Sequence, residues 1–147
     1  MKFQLIIDEE KEEEVVVTAH RRSDLTDQIE GLVRQYSGQS QIAAYAEDEV
    51  VLLSFDKIEC ISIENGKTCA VDHLGKRYRL KQRLYELESM LPSSFIRINK
   101  SALANENRLE RFVATYSGGV NARFFSGYEE YVSRRCFAAI KRRFDSQ

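Results

Sequence analysis

Apolar and polar positions alternate in short runs along most of the chain, and the runs break at turn-forming residues about every ten positions. KFQLIID (2–8) alternates weakly and VVVTA (15–19) is β-branched, so with the solvated EEKEEE between them they predict an N-terminal hairpin. The period then changes. Leu25, Ile29, Leu32, Val33 and Tyr36 recur at helical spacing, with Ser23 or Asp24 to cap the helix and Gly38 to stop it. Strand chemistry resumes over 41–80, broken at Glu47-Asp48, Asn65-Gly66 and His73-Leu74-Gly75. Leu80, Leu84, Leu87 and Leu91 predict a short helix over 81–91, closed by Pro92. FIRINKSALAN (95–105) reads as a strand and its trailing loop, and 108–133 as three strands with turns at Gly118-Gly119 and Ser126-Gly127. A last helix follows, capped by Ser133, with Cys136, Phe137, Ile140 and Phe144 on one face. The class is α+β, predominantly antiparallel.

Within FIRINKSALAN, Ile96 and Ile98 mark the core side of a half-buried strand, so Arg97 and Asn99 are expected on its other face, with Lys100 and Ser101 just behind. Charge gives that cationic face a context. Residues 1–50 hold 5 basic and 12 acidic side chains, a net −7, and the remaining residues hold 17 and 11, a net +6. A basic part that meets a polyanion, preceded by an acidic part that does not, accounts for the split. At 147 residues the length suits one domain with an appendage. Three cysteines without a C-x-x-C pair predict buried thiols, and the acidic start lacks the features of a secretory signal, which gives a cytoplasmic protein without membrane insertion.

Several motifs stand in order at fixed spacing: the 81–91 helix, Phe95 and Arg97 of the strand, Lys100-Ser101, Asn105, the turn at Gly127, and Val132-Ser133-Arg134 before the closing helix. Together they resemble a LytTR-type DNA-binding domain over about residues 48–144. What precedes resembles the β-β-α extension of stand-alone LytTR regulators. The resemblance implies two units, a 1–47 extension serving dimerisation or a signal and a 48–147 DNA-binding domain of small stacked sheets, whose loops enter the major groove of double-stranded DNA. Carried over by position, the first loop brings Lys67 and Thr68, the second runs from Arg97 through Asn99 to Lys100, and Arg134 with Arg135 flanks the closing helix. Many relatives hold histidine where Asn99 stands, and histidine or arginine near Thr68.

Side-chain chemistry suits these roles. Arginine pairs bidentately with guanine, asparagine with adenine, and lysine suits phosphate, so Lys67, Lys100, Lys141, Arg142 and Arg143 are positioning candidates. His20-Arg21-Arg22 reads as a solvated turn and His73 with Asp72 as surface chemistry. No phosphate-binding glycine loop, nucleophile elbow or metal-spaced cluster stands in the sequence, so neither a cofactor nor enzymatic activity is expected. The expectation is a transcriptional regulator bound to tandem duplex sites as a homodimer. A protein-interaction module on the same fold is the alternative, with the N-terminal extension meeting a protein partner.

Overall fold

Among the described residues, these runs form ten strands and three α-helices. The structure, a computed structural model, describes residues 1–36 and 40–145, and the expected helix stop at Gly38 lies outside them. Helix α1 (Asp24–Tyr36) starts where Ser23 Oγ accepts from Thr26 N at 3.4 Å and Thr26 Oγ1 accepts from Ser23 N at 2.9 Å. This reciprocal cap satisfies donors that the first helical turn cannot. The main sheet consists of β1 (Gln41–Ala46), β2 (Glu49–Ser54), β3 (Ile58–Glu64), β4 (Lys67–Asp72), β5 (Arg77–Leu80), β6 (Phe95–Asn99) and β7 (Ala102–Asn105). It is antiparallel, in the order β2-β1-β5-β4-β3-β7-β6, with helix α2 (Leu84–Met90) crossing from β5 to β6. A second sheet holds β8 (Leu109–Ala114), β9 (Val120–Phe124) and β10 (Glu129–Val132), and helix α3 (Arg134–Asp145) closes the fold.

Strand alternation sorts the core into two layers. Ile61, Ala70, Leu80 and Leu103 leave one face of the main sheet to meet Leu84, Leu87 and Leu91 around α2. Cys60, Ala102 and Ala104 leave the other and meet Ala122, Phe124, Val132 and Ile140 of the second sheet and α3. The predicted turns form. Asn65 and Gly66 adopt φ of 52° and 75° between β3 and β4, the left-handed pair that a tight hairpin needs.

Two buried polar side chains brace the fold, one within the main sheet and one between the sheets. Asn105, 2% exposed, donates to the Ile58 carbonyl at 2.9 Å and accepts from Asn107 N at 3.1 Å. Glu59, with no exposed surface, accepts from the backbone N of Ser126 at 3.2 Å and from its hydroxyl, which fastens β3 to the β9–β10 turn. Asn105→Ala orphans the Ile58 carbonyl, so it should cost about 1–3 kcal/mol by denaturant unfolding. A loss under about 0.5 kcal/mol would mean that the amide contributes no net bond.

The N-terminal part departs from expectation. Residues 2–8 and 15–19 form no strand, and all of 1–25 is exposed, because strand chemistry yields a strand only where a ladder partner is present. Leu25, Leu32 and Val33 of α1 remain at least 40% exposed. The helix instead seats through Gly31, where an added Cβ would fall 2.3 Å from Ser93 Oγ. The division expected between residues 47 and 48 falls inside the β1–β2 turn, and β1 is part of the main sheet. Helix α2 begins at Leu84, later than the spacing suggested, since Glu86 Oε1 accepts from Arg83 N at 3.2 Å and sets the start there.

Candidate nucleic-acid interface

Strand pairing decides which loops meet. Ser62 of β3 lies opposite Ala102 of β7, and Ile63 N donates to Ser101 O at 2.9 Å. The β3–β4 turn and the β6–β7 turn therefore emerge at the same end of the main sheet. The start of α3 joins them: Ser133 N donates to Ile98 O at 2.9 Å, and Asn99 Nδ2 to Tyr131 O at 2.6 Å. Lys67, Lys100, Arg134 and Arg135 thus come from three separate connections to one end of the molecule. All four are exposed, and none forms an ion pair among the described residues.

The second loop is built differently from the alternation argument. Arg97 lies opposite Leu103, whereas Asn99 lies opposite Ala102, so β6 carries one extra residue between them. Such a bulge reverses the alternation. Arg97 accordingly shares the α2 side with Leu103, while Ile98 and Asn99 turn toward the second sheet; Arg97 and Asn99 do not share a face. Each nitrogen of the Arg97 guanidinium donates one bond: Nη2 to Glu88 Oε2 at 2.6 Å, Nε to Glu88 Oε1 at 3.5 Å, and Nη1 to the Lys100 carbonyl at 2.8 Å. Asn99 is engaged as well, because its Oδ1 accepts from Ser101 N at 2.7 Å while its amide reaches Tyr131 O. These two side chains shape and anchor the turn that presents Lys100.

The first loop offers a cation without a neighbouring reader. Lys67 is exposed, but Thr68 is 9% exposed, held between Ile63 and Leu80. Arg134 and Arg135 sit in the first turn of α3, whose start is fixed by Ser133 Oγ accepting from Cys136 N at 3.2 Å. A helix start repels cations through its dipole, so placing two arginines there is a cost to the fold that another role must repay. Arg143, at the far end of α3, pairs with Glu106 at 3.2 Å, away from these loops. Two further side chains stand at this end, Lys81 and Tyr116, the latter expected from its residue type in the core or a sheet and found exposed in a turn. Lys81 follows Leu80, the cross-strand partner of Thr68, and its Nζ lies 4.8 Å from the centre of the Tyr45 ring. Tyr116, fully exposed, occupies the β8–β9 turn, which adjoins the paired ends Val120 and Val132. Neither follows from periodicity, because each reaches this end only through long-range pairing.

Behind the loops the two sheets bury titratable groups. Burial raises the Cys60 thiol well above its usual range, and burial likewise raises the Glu130 carboxyl. The Tyr128 hydroxyl is raised too, by burial first and then by the field of Cys60 and Glu130. These groups hold their protons more tightly than they would in water. Among the described residues, no helix is long and apolar enough to cross a membrane.

Comparison with known proteins identifies the family. Over 144 residues the chain is 28% identical to HTH-type transcriptional regulators of Staphylococcus aureus strains MSSA476 and MW2, with 97% of each chain covered. Its fold resembles the LytTr DNA-binding domain of a response regulator from Bacillus cereus, with a TM-score of 0.64 at 22% identity over 71% of this chain and 96% of that one. The family model described as the LytTr DNA-binding domain matches residues 48–145. By that match, over two thirds of its length, the chain belongs to the LytTR family and carries a DNA-binding domain.

Proposed function

We propose that this DNA-binding transcription regulator recognises specific duplex sequences through its loops, laying one end of the main sheet against the major groove. The observation that carries the reading is the convergence of Lys67, Lys100, Arg134 and Arg135 from three connections, all exposed and without an ion pair among the described residues. Although the S. aureus relatives are named HTH-type, helices α2 and α3 are separated by five strands, so a helix-turn-helix is not available to these elements. Arg134 reads a base and Arg135 a phosphate. Lys67 and Lys100 neutralise phosphates, with Lys81 and Tyr116 at the margin. Arg97, Asn99 and Thr68 contribute by holding the loops in shape. Two protomers on tandem sites, in the cytoplasm, complete the reading.

Selection of bound duplexes from a random pool tests it. A consensus should emerge, and affinity for that duplex should fall with salt at a log–log slope of about −3, since each neutralised phosphate contributes about −0.9 and Lys67, Lys100 and Arg135 supply three contacts. A pool that yields no consensus, or binding indifferent to salt, would favour the protein-interaction module, in which the acidic N-terminal part meets a protein partner.

A further inference from the structure

We infer that the arm Val15–Ala19 adds as an antiparallel strand to the outer edge of β2 in a second copy of this chain. It names the contact between the paired protomers proposed above, and rests on that pairing.

Two unsatisfied features of one chain fit each other. The arm has strand chemistry and no ladder partner, with Val15, Val16 and Val17 exposed by 60%, 76% and 45%. Strand β2 is a sheet edge that pairs with β1 in regular register from Gln41↔Ser54 to Ala46↔Glu49, and on the sheet face away from α2 it exposes Val50 and Leu52 by 63% and 67%. Sheet edges are ordinarily protected by charges, bulges or a cover. The other edges here are: β6 and β10 meet each other through Asn99 and Ser133, and β8 has a register shift between Leu109 and Arg111 beside the Glu110–Arg111 ion pair. Among the described residues, β2 has no register shift, and its one charged residue is Glu49 at its start.

One register satisfies both segments. Antiparallel pairing with Val17 opposite Leu52 sets Ala19 opposite Val50 and Val16 opposite the buried Leu53. The same register sets Arg21 beside Asp48 of the β1–β2 turn, both exposed, so opposite charges meet at that end. Main-chain bonds supply affinity in such strand addition, and the alternate side chains supply register.

The acceptor is a second copy because the arm cannot reach its own β2. Arg22, Asp27 and Gly31 line a cavity with Ser93, Glu106 and Arg143, beside the start of β6 and the end of β7. Arg22 is held there by Asp27 at 2.8 Å and Glu30 at 2.6 Å. Ala19 lies three residues before it, at most about 10 Å away. Strand β2 is six strand spacings from β6, about 29 Å at the usual separation.

Sedimentation velocity of the full chain over a concentration series tests the contact. The double variant Val16→Pro, Val17→Pro removes a ladder donor whichever of the two faces the partner, and it lies in a segment exposed throughout. Leu52→Lys alters the acceptor at an exposed position. Each should weaken self-association about tenfold or more, a loss of about 1.4 kcal/mol. An equimolar mixture of the two should associate more strongly than either alone, because one copy keeps an intact edge and the other an intact arm. Association of the double-proline variant at wild-type strength would overturn the inference while leaving the pairing of protomers intact, and so would a mixture no stronger than its parts. A wild-type chain that stays monomeric would remove both. Affinity for a single selected half-site should be unchanged in the double-proline variant, which separates this contact from the reading of DNA.

Discussion

Arg134→Ala should lower affinity for the selected duplex about 5- to 150-fold and relax preference at one base pair, with the thermal midpoint unchanged. The magnitude follows from the 1–3 kcal/mol that a bidentate guanidinium–guanine pair contributes to discrimination. The absence of a stability effect follows from the position: Arg134 is exposed, in no ion pair among the described residues, and in the first helical turn, where its charge opposes the dipole. The structure also presents it rigidly, because the Ser133 cap and the Ser133 N to Ile98 O bond fix the helix start against β6. Arg97 should behave otherwise. Its guanidinium is committed to Glu88 and the Lys100 carbonyl, so Arg97→Ala should weaken binding to all sequences alike by releasing the turn that carries Lys100. Glu88→Gln discriminates, read by titration against the selected duplex and against a scrambled one. If Arg97 holds the turn, Glu88→Gln weakens binding as Arg97→Ala does; stronger and more selective binding would make Arg97 a base reader that Glu88 holds back.

That contrast shows what the sequence could and could not reveal. Turn chemistry was legible wherever a residue type is forced by backbone conformation, as at Asn65-Gly66, Gly118 and Gly127, and the Ser133 cap was legible for a similar local reason. The bulge at Ile98–Asn99 was not. Alternation assumes an unbroken pleat, and FIRIN contains nothing that marks an inserted residue. It therefore set Arg97 and Asn99 on one face, when they lie on two. The N-terminal arm illustrates the same limit from the other side: β-branched residues express a preference for a ladder, and whether one forms depends on an edge within reach. Convergence of the loops was readable only through the family resemblance, because it depends on pairing β3 with β7 across some forty residues of intervening chain, to which local periodicity is blind.

The larger stability effect is expected at Phe124. This ring has no exposed surface, stacks 6.0 Å from the ring of Tyr128, and packs with Cys60, Ala102 and Ala104 of the main sheet and with Val132 and Ile140. Alanines opposite it lend the site little capacity to close over a void, since their backbones are fixed in the ladder. Phe124→Ala should therefore cost about 3–5 kcal/mol. At this chain length that lowers the thermal midpoint by on the order of 10 °C, measurable by calorimetry. The same cavity bears on DNA. Val132 leads into Arg134, and Ile140 holds α3 from beneath, so loosening the layer frees the arginines relative to Lys100 even while the chain remains folded. Binding measured well below the midpoint should then fall for every duplex alike, unlike the base-specific loss from Arg134→Ala. If Phe124→Ala keeps wild-type affinity at low temperature despite the lower midpoint, the second sheet only stabilises the domain, and the α3 arginines are positioned by the Ser133 and Asn99 bonds to β6 and β10 alone.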